Sequence, residues 1–594
     1  MSTEKDGRTS YIQFLDDGVY IAEKMGVVKR IADPIQVTAF GTSEMGAARQ
    51  QAYTVVRFLD REGKRKKEIV PSSMLVSQPG ELVTLLADRG YLWPPTQALR
   101  NKMIGELSVV RPARRIRVTP VPGCHGKSYV LPGESYTPDG PDRKRFQLCY
   151  NPTVRLGEFR RSGTLKEWKE HVGKACRYSS RARLAVAAVF AAPNLRALNI
   201  DSFGFNFSGM TSGGKTLLGR LAASAAGLNS SGGPTNWDGS AAGFEQRFLG
   251  HRDSIVLFDD LSNLSQPELA KLVTFRLASN RPKTKAGQYI LANQIVDVDW
   301  RAITLSTSED PIWQQMIRSG RRRVRGEEVR MINVRACISD KGDIFDGQNA
   351  DARVGRTLEK RLQFVEQQEQ FTLDYQGEAL RTYAAKRFGD KRAEATLNNY
   401  MEEFVEATVL PEQHRWLGRI RKYFAVVYAS AAQAIDFDVL PWSKKATLRA
   451  IATCMTDAME QFAANFSDSQ NGGGGQSKSD DTLLAEFKRQ VEDAEFVRIE
   501  RNTRKQYPTP KRLKKADGFI HPLRSGRVRY LLCSETLEKW FPEVTTRKHL
   551  SAVLRSRGIL EPGRRADTST RQIHIAPLKK RVSCYALLRN RIPD

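Results

Sequence analysis

Paired cysteines are missing from this chain. Its seven cysteines are scattered singly with no C-x-x-C spacing, which excludes a zinc ribbon or a disulfide framework as the organising device. Seven histidines show no ligand spacing either. Cys124-His125 is tempting as a metal or nucleophile pair, but with no partner residues nearby it reads as a bland turn. Long apolar runs are absent too. No stretch approaches the ~18 residues that a membrane span needs, and the longest candidate, Leu184 to Pro193, reads as a buried helix. No membrane partner is expected. The opening Met1-Ser-Thr-Glu-Lys-Asp-Gly is hydrophilic, so no secretory leader is expected and a reducing cytoplasm is the expected compartment. Acid is in short supply. Against 94 Lys and Arg stand 66 Asp and Glu, a formal charge of +28 over 594 residues. Such an imbalance points to a polyanionic partner.

What the chain does have is one sharp motif. Gly209-Met210-Thr211-Ser212-Gly213-Gly214-Lys215-Thr216 fits G-x-x-x-x-G-K-[ST] without a misfit. Phe203-Gly-Phe-Asn-Phe-Ser208 precedes it, apolar at every second position, and reads as a strand; Leu217-Leu218-Gly219-Arg220-Leu221 follows and reads as a helix. A strand–loop–helix turn aims backbone N–H groups and a helix N-terminus at an anion. Gly209, Thr211, Ser212, Gly213 and Gly214 would cradle the phosphates of ATP. Lys215 would reach the β- and γ-phosphates and Thr216 would hold Mg2+. A chance match in a glycine-rich turn is the bland alternative, and the flanking strand and helix argue against it.

A second acidic element is expected downstream. Ile255-Val-Leu-Phe258 is an apolar run of the length of a strand buried on both faces, and it ends in Asp259-Asp260. Asp259 would join the magnesium shell and Asp260 would orient or activate water; a simple helix cap before Leu-Ser-Asn is the alternative. Ala302-Ile-Thr-Leu305 suggests another strand, with Ser306 and Thr307 at its tip as candidates for contact with the γ-phosphate or the water. Then comes Arg321-Arg322-Arg323-Val324-Arg325, followed by Arg330. A charge run is usually a solvated face, yet after an ATPase core an arginine reaching a neighbour's γ-phosphate is a fair alternative, with Arg330 the best candidate.

The order P-loop, Asp-Asp strand, polar strand tip, arginine is that of AAA+ ring ATPases. A closer resemblance rests on Asn236-Trp237-Asp238-Gly239-Ser240, Phe244-Glu245, Ile255 to Leu261, Leu277-Ala278, the spaced basics Arg281, Lys283 and Lys285, Trp300, Leu305 to Glu309, and Glu327 to Arg330. Gly18-Val19-Tyr20 and Tyr129 to Pro132 add to it. Together they resemble the Cch-type replicative helicases of mobile genetic elements, a family long catalogued as a domain of unknown function, DUF927. The resemblance spans most of residues 10–340. It implies an MCM-like hexameric helicase core, with Arg281, Lys283 and Lys285 lining a central channel that holds one DNA strand. Two departures stand out. Asp-Glu is frequent where this chain has Asp259-Asp260, and glycines are usual between the spaced basics where it has Asn280 and Pro282.

The expected architecture is an α/β P-loop NTPase of the AAA+ kind with four companions: a β-rich basic N-terminal domain (1–160), preceding helices within the ATPase core (161–345), a helical lid or collar (346–466) and, after a glycine-rich linker (467–480), a basic winged-helix domain (481–594). In the N-terminal part, basic clusters at 61–67, 111–117 and 143–145 lie among the strands. The last domain carries 26 Lys and Arg against 13 Asp and Glu, a net +13. Arg547-Lys548 opens its expected recognition helix, which would contact duplex DNA. The function so read is an ATP-dependent, ring-forming DNA helicase, a homo-oligomer that works with a primase or polymerase of the same element. Two alternatives stay open: an origin-binding ATPase that loads partners without unwinding, and a DNA-binding scaffold with a structural nucleotide.

Overall fold

The computed structural model describes residues 11–22, 28–43, 51–138, 146–149, 154, 156–209, 213–228, 235–237, 240–260, 279–281, 299–312, 314, 325–338, 342–347, 350–410, 415–464, 478–499, 508–522, 528–541, 544–561, 570–575 and 578–588. The chain divides into two compact units, one within residues 1–313 and 324–459, the other within 314–323 and 460–594. Among the described residues no helix is long and apolar enough to cross a membrane.

The first unit opens on three antiparallel strands, β1 (Tyr11–Leu15), β2 (Gly18–Ala22) and β3 (Val28–Ala32). A second sheet follows from β4 (Ile35–Ser43), β5 (Gln51–Leu59), β6 (Arg65–Pro71) and β7 (Arg115–Thr119). Three short strands, β8 (Gly123–His125), β9 (Ser128–Leu131) and β10 (Glu134–Tyr136), make a sheet of their own, and β11 (Phe146–Leu148) returns to the second sheet in the order β11-β7-β4-β5-β6. Tight turns at Asp16-Asp17 and Asp60 to Gly63 join β1 to β2 and β5 to β6. Two helices were not foreseen, Pro79–Asp88 and Gln97–Val109. They bury Leu82, Leu86, Met103 and Ile104 against Ile35, Val56 and Phe58 on one sheet face. The other face carries Ala39, Tyr53, Val55, Ile69, Ile116, Val118 and Cys149 as a separate small core. In a flat sheet β6 and β11, at opposite edges, would stand about 19 Å apart. Yet Lys67 Nζ donates to Gln147 Oε1 at 2.9 Å, so the sheet curls over this core until its edges meet.

A parallel sheet then forms from β12 (Phe203–Ser208), β13 (Thr235–Asn236), β14 (Ile255–Asp259), β15 (Ile303–Ser308) and β16 (Met331–Arg335), in the order β13-β14-β15-β12-β16. All of β12 is buried, although its Phe–polar alternation would ordinarily mean one wet face. Its polar side instead makes a ladder beneath the motif. Asn206 Nδ2 donates to Ser308 Oγ at 2.8 Å and to Asn333 Oδ1 at 2.9 Å, linking β12 to both neighbours. The helices Lys215–Ala226 and Ser180–Ala191 cover the sheet. Further helices run over Leu358–Asp374, Glu378–Gly389, Ala393–Ala407, Arg415–Asp436 and Lys444–Ala464. The fourth of these stacks Tyr423 on Phe203 with ring centres 4.2 Å apart.

In the second unit the helix Lys478–Glu492 precedes β17 (Phe496–Arg498), β18 (Gly518–Pro522) and β19 (Val528–Cys533). Two helices, Ser534–Trp540 and Val544–Ser556, come next, then a hairpin of β20 (Arg571–Ile575) and β21 (Lys580–Leu587). The sheet order is β17-β18-β19-β21-β20. Between β17 and β18 lies a short helix, Pro510–Lys515, whose N-terminus is capped by the Thr509 hydroxyl accepting from Arg512 N. Residues 467–477 of the expected linker lie outside the described residues, and 478–480 already belong to a helix.

Candidate functional site

The parallel sheet places the candidate residues by register. Asn206 pairs with Ser306, and Phe258 pairs with the same Ser306 from the other side. The tips of β12, β15 and β14 are therefore level, and β15 stands between the P-loop strand and the Asp259 strand. At the start of the following helix, Thr216 Oγ1 lies 3.5 Å from Asp259 Oδ2. Thr307 Oγ1 donates to the other carboxylate oxygen of Asp259. It also accepts from the backbone N–H of Asp260 at 2.9 Å. One hydroxyl thus fixes both aspartates. Asp260 has φ +50°, a left-handed turn that Asp tolerates better than most residues, so the chain bends sharply as it leaves β14.

The loop itself is held at both ends. Lys215 Nζ donates to the Gly209 carbonyl, bridging the start and end of the motif. Ile344 N donates to the Gly213 carbonyl at 3.1 Å. Gly214 has φ +89°, and a Cβ there would meet the Ile344 side chain at 3.3 Å, so both conformation and space call for glycine. Cys337 Sγ sits 3.7 Å from the Gly213 carbonyl; burial pushes its thiol up, so it stays neutral beside the loop. Among the described residues no group of three or more His, Cys, Asp or Glu clusters as metal ligands. Among the described residues, the Thr216 hydroxyl and the Asp259 carboxylate offer hard oxygens beside the loop, which suits a cation held mostly by phosphates and water.

Ser306 and Thr307 part company. Ser306 is buried on the other side of the strand, where its hydroxyl accepts from the Trp237 indole N–H at 2.8 Å. Trp237 packs on Phe258 with ring centres 4.5 Å apart, and so it wedges β14 and β15 together. Arg330 is also apart from the cluster. Its carbonyl accepts from Gly204 N, at the end of the sheet opposite the loop, about 17 Å of strand from Gly209. Its guanidinium donates to the Gly326 carbonyl at 2.7 Å. Arg281 is exposed. Beside it Asn280 takes φ +56°, the conformation a glycine would favour, and its side chain anchors to Ser202 and Asp201. Arg547 donates to the Phe541 carbonyl at 2.7 Å, and Lys548 lies on the same helix. Thr211, Ser212, Lys283 and Lys285, the Arg321 to Val324 run and the side chain of Lys548 lie outside the described residues.

Cys124-His125 is a strand, β8, not a turn. Cys124 N donates to Asp253 Oδ2 at 2.7 Å, and Arg252 Nη1 donates to the Cys124 carbonyl at 2.8 Å. Arg196 reaches the same fully buried carboxylate at 3.2 Å. The pair therefore nails the N-terminal strands to the residue just ahead of β14. Burial lowers His125 to about 4, as it does His251. A histidine whose folded pKa falls below its ordinary 6.5 takes up its proton more readily when unfolded, so stability is full above pH 6.5 and drains as pH falls towards 4. Each of the two should contribute about 3 kcal/mol to that loss. Melting temperatures of the parent and His125→Gln between pH 7 and 4.5 check this; the variant should show the shallower acid slope, and parallel slopes would mean His125 is already charged.

Three comparisons bear on this site. Residues 17–289 match the family model described as Domain of unknown function (DUF927). That span is somewhat under half of the chain and takes in the P-loop, Asp259-Asp260 and Arg281. Among curated proteins none matches. A solved structure described as "SCCmec type IV Cch - active helicase" is similar in fold, with a TM-score of 0.56 over 98% of this chain and 98% of that one, at 14% sequence identity.

Proposed function

We propose that this chain is an ATP-driven, ring-forming DNA helicase of the Cch kind, serving the replication of a mobile genetic element. The convergence of Lys215, Thr216, Asp259, Thr307 and Asp260 at one edge of the parallel sheet carries the reading. These residues fit magnesium and ATP: the loop is free of Cβ where it is tightest, its helix points an N-terminus at the ligand, and Thr216 and Asp259 offer the oxygens magnesium takes. Magnesium there would neutralise phosphate charge. Lys215 would exchange the Gly209 carbonyl for phosphate oxygen. Thr307 would hold Asp259 in orientation, and Asp260 would orient the attacking water. The strand order, with β15 between the P-loop strand and the Asp259 strand, supports an AAA+ core. Arg330 sits at the far edge of the sheet, out of reach of its own loop, which supports a role on a neighbouring subunit in a ring such as an MCM-like hexamer.

The second unit supports DNA binding. A helix pair followed by a hairpin, with β19 pairing to β21, is the arrangement of a winged helix, here widened by β17 and β18. Val544–Ser556 would then be the helix that enters the groove, carrying Arg547 and Lys548. Arg281, with Lys283 and Lys285, would grip one strand in the channel by charge rather than by reading bases.

Strand displacement on a forked duplex tests the reading. Unwinding should occur with magnesium and ATP and stop with a non-hydrolysable analogue. ATP turnover stimulated by DNA without any displacement would sink the helicase in favour of a loader; binding without turnover would leave only a scaffold.

A further inference from the structure

The basic residues of the N-terminal sheet have no part in the nucleotide site, yet the register gathers several of them. Arg57 of β5 and Lys67 of β6 are direct cross-strand partners, so their side chains leave the same face. Arg65 lies two residues from Lys67 on that face, about 7 Å along the strand. Arg114 arrives from the start of β7, where its carbonyl accepts from Phe40 N at 3.0 Å. The curl that carries Lys67 to Gln147 brings Arg114 near it as well. Burial first, then the charges of Arg57 and Arg114, hold the Lys67 ammonium below its ordinary range. A cavity of about 370 Å³ opens here, lined by Arg57, Arg65, Lys66, Lys67, Gln36 and Asp16 among others.

Of the nearby acids, Asp16 lines the cavity itself with neutral Gln36 as its partner, while Asp60 and Glu68 are ion-paired. Asp16 accepts from Gln36 at 3.1 Å, Asp60 pairs with Lys66 at 2.9 Å and Glu68 pairs with Arg89 at 3.2 Å. Among the described residues, Arg57, Lys67 and Arg114 form no ion pair. Like charges set directly opposite in a sheet are destabilising. A bound anion offsets that cost. The cations form a track along two strands and a third strand's entry rather than converging on one point, which suits a chain of phosphates better than a single one. We propose that this mouth of the N-terminal sheet holds the phosphodiester backbone of a DNA strand, as a contact separate from the C-terminal unit and from Arg281.

The test uses the full chain carrying Arg57→Ala, Lys67→Ala and Arg114→Ala together, with fluorescein-labelled oligo-dT as the probe. Affinity should fall roughly tenfold or more, and the slope of log K against log salt should shrink by about 2, as three lost phosphate contacts require. Without DNA the melting temperature should hold or rise, because repulsion has been removed. If the alanine set fails to fold, the Arg57→Gln, Lys67→Gln, Arg114→Gln set decides by the same readouts. Unchanged affinity and slope would overturn the proposal. So would a loss of affinity matched by loss of the assembled species in sedimentation, which would make this face a subunit contact. The choice of probe rests on the helicase reading, and the two failures differ: a parent chain that binds no DNA overturns both, whereas a variant that binds as well as the parent overturns this site alone.

Discussion

Lys215→Ala should lower ATP turnover by roughly 10²–10³-fold or more, because the ammonium meets charge that grows on the phosphates in the transition state. The side chain spans the loop from its last residues back to the Gly209 carbonyl, so its loss also loosens the cradle. Binding of a fluorescent ATP analogue should weaken along with turnover. The helix Lys215–Ala226 buries its core through Leu217, Leu218 and Leu221, so the fold should survive, and an unchanged melting temperature is the control. A variant that hydrolyses ATP at the parent rate would mean that the loop is not the site.

Asp260→Asn should give the opposite pairing of results, ATP bound but not cut. Asn tolerates φ near +50° as well as Asp does, and the contact from the Asp260 N–H to Thr307 is made by backbone, so the substitution removes a charge and leaves the turn intact. Turnover should drop at least ~10²-fold, as loss of a positioned base or acid does, while analogue binding stays within a few-fold of the parent. Loss of binding in Asp260→Asn would make it a structural or metal residue, and full turnover would pass the chemical role to Asp259 or to a residue of a neighbouring subunit.

The glycine-rich loop and the Asp-Asp strand were legible in the sequence because backbone geometry restricts residue type: glycine suits φ +89° at Gly214, and a short apolar run suits a strand with both faces covered. The choice between Ser306 and Thr307 was not legible. It depends on parity, and parity becomes known only when Phe258 is paired with Ser306. Asn206 was hidden by its own pattern, since a polar residue alternating with Phe looks like part of a solvated face until Ser308 and Asn333 on the neighbouring strands supply partners. The helix Arg415–Asp436 does carry a clear apolar stripe in its sequence, while the structure buries Tyr423 to Ala434 on every side. Pro79–Asp88 and Gln97–Val109 lay in a stretch dominated by strand signals. The curl of the N-terminal sheet is a matter of tertiary contact, Lys67 to Gln147, with nothing local to announce it.

The tie between β8 and Asp253 governs how this molecule can be cut. Asp253 is fully buried, and Cys124 N together with Arg196 and Arg252 satisfies it. A fragment starting at residue 160, which the sequence suggests as a natural edge for the motor, would strip away the Cys124 N–H and with it the carbonyls that Arg252 grips. The carboxylate would keep Arg196 and Arg252, and the guanidinium would keep Asp299, but each would face the gap with part of its hydrogen-bond set gone, at the base of the very strand that ends in Asp259. Anyone dissecting the protein should therefore place the cut upstream of Pro122 and keep the hairpin of β8 and β9 with the parallel sheet.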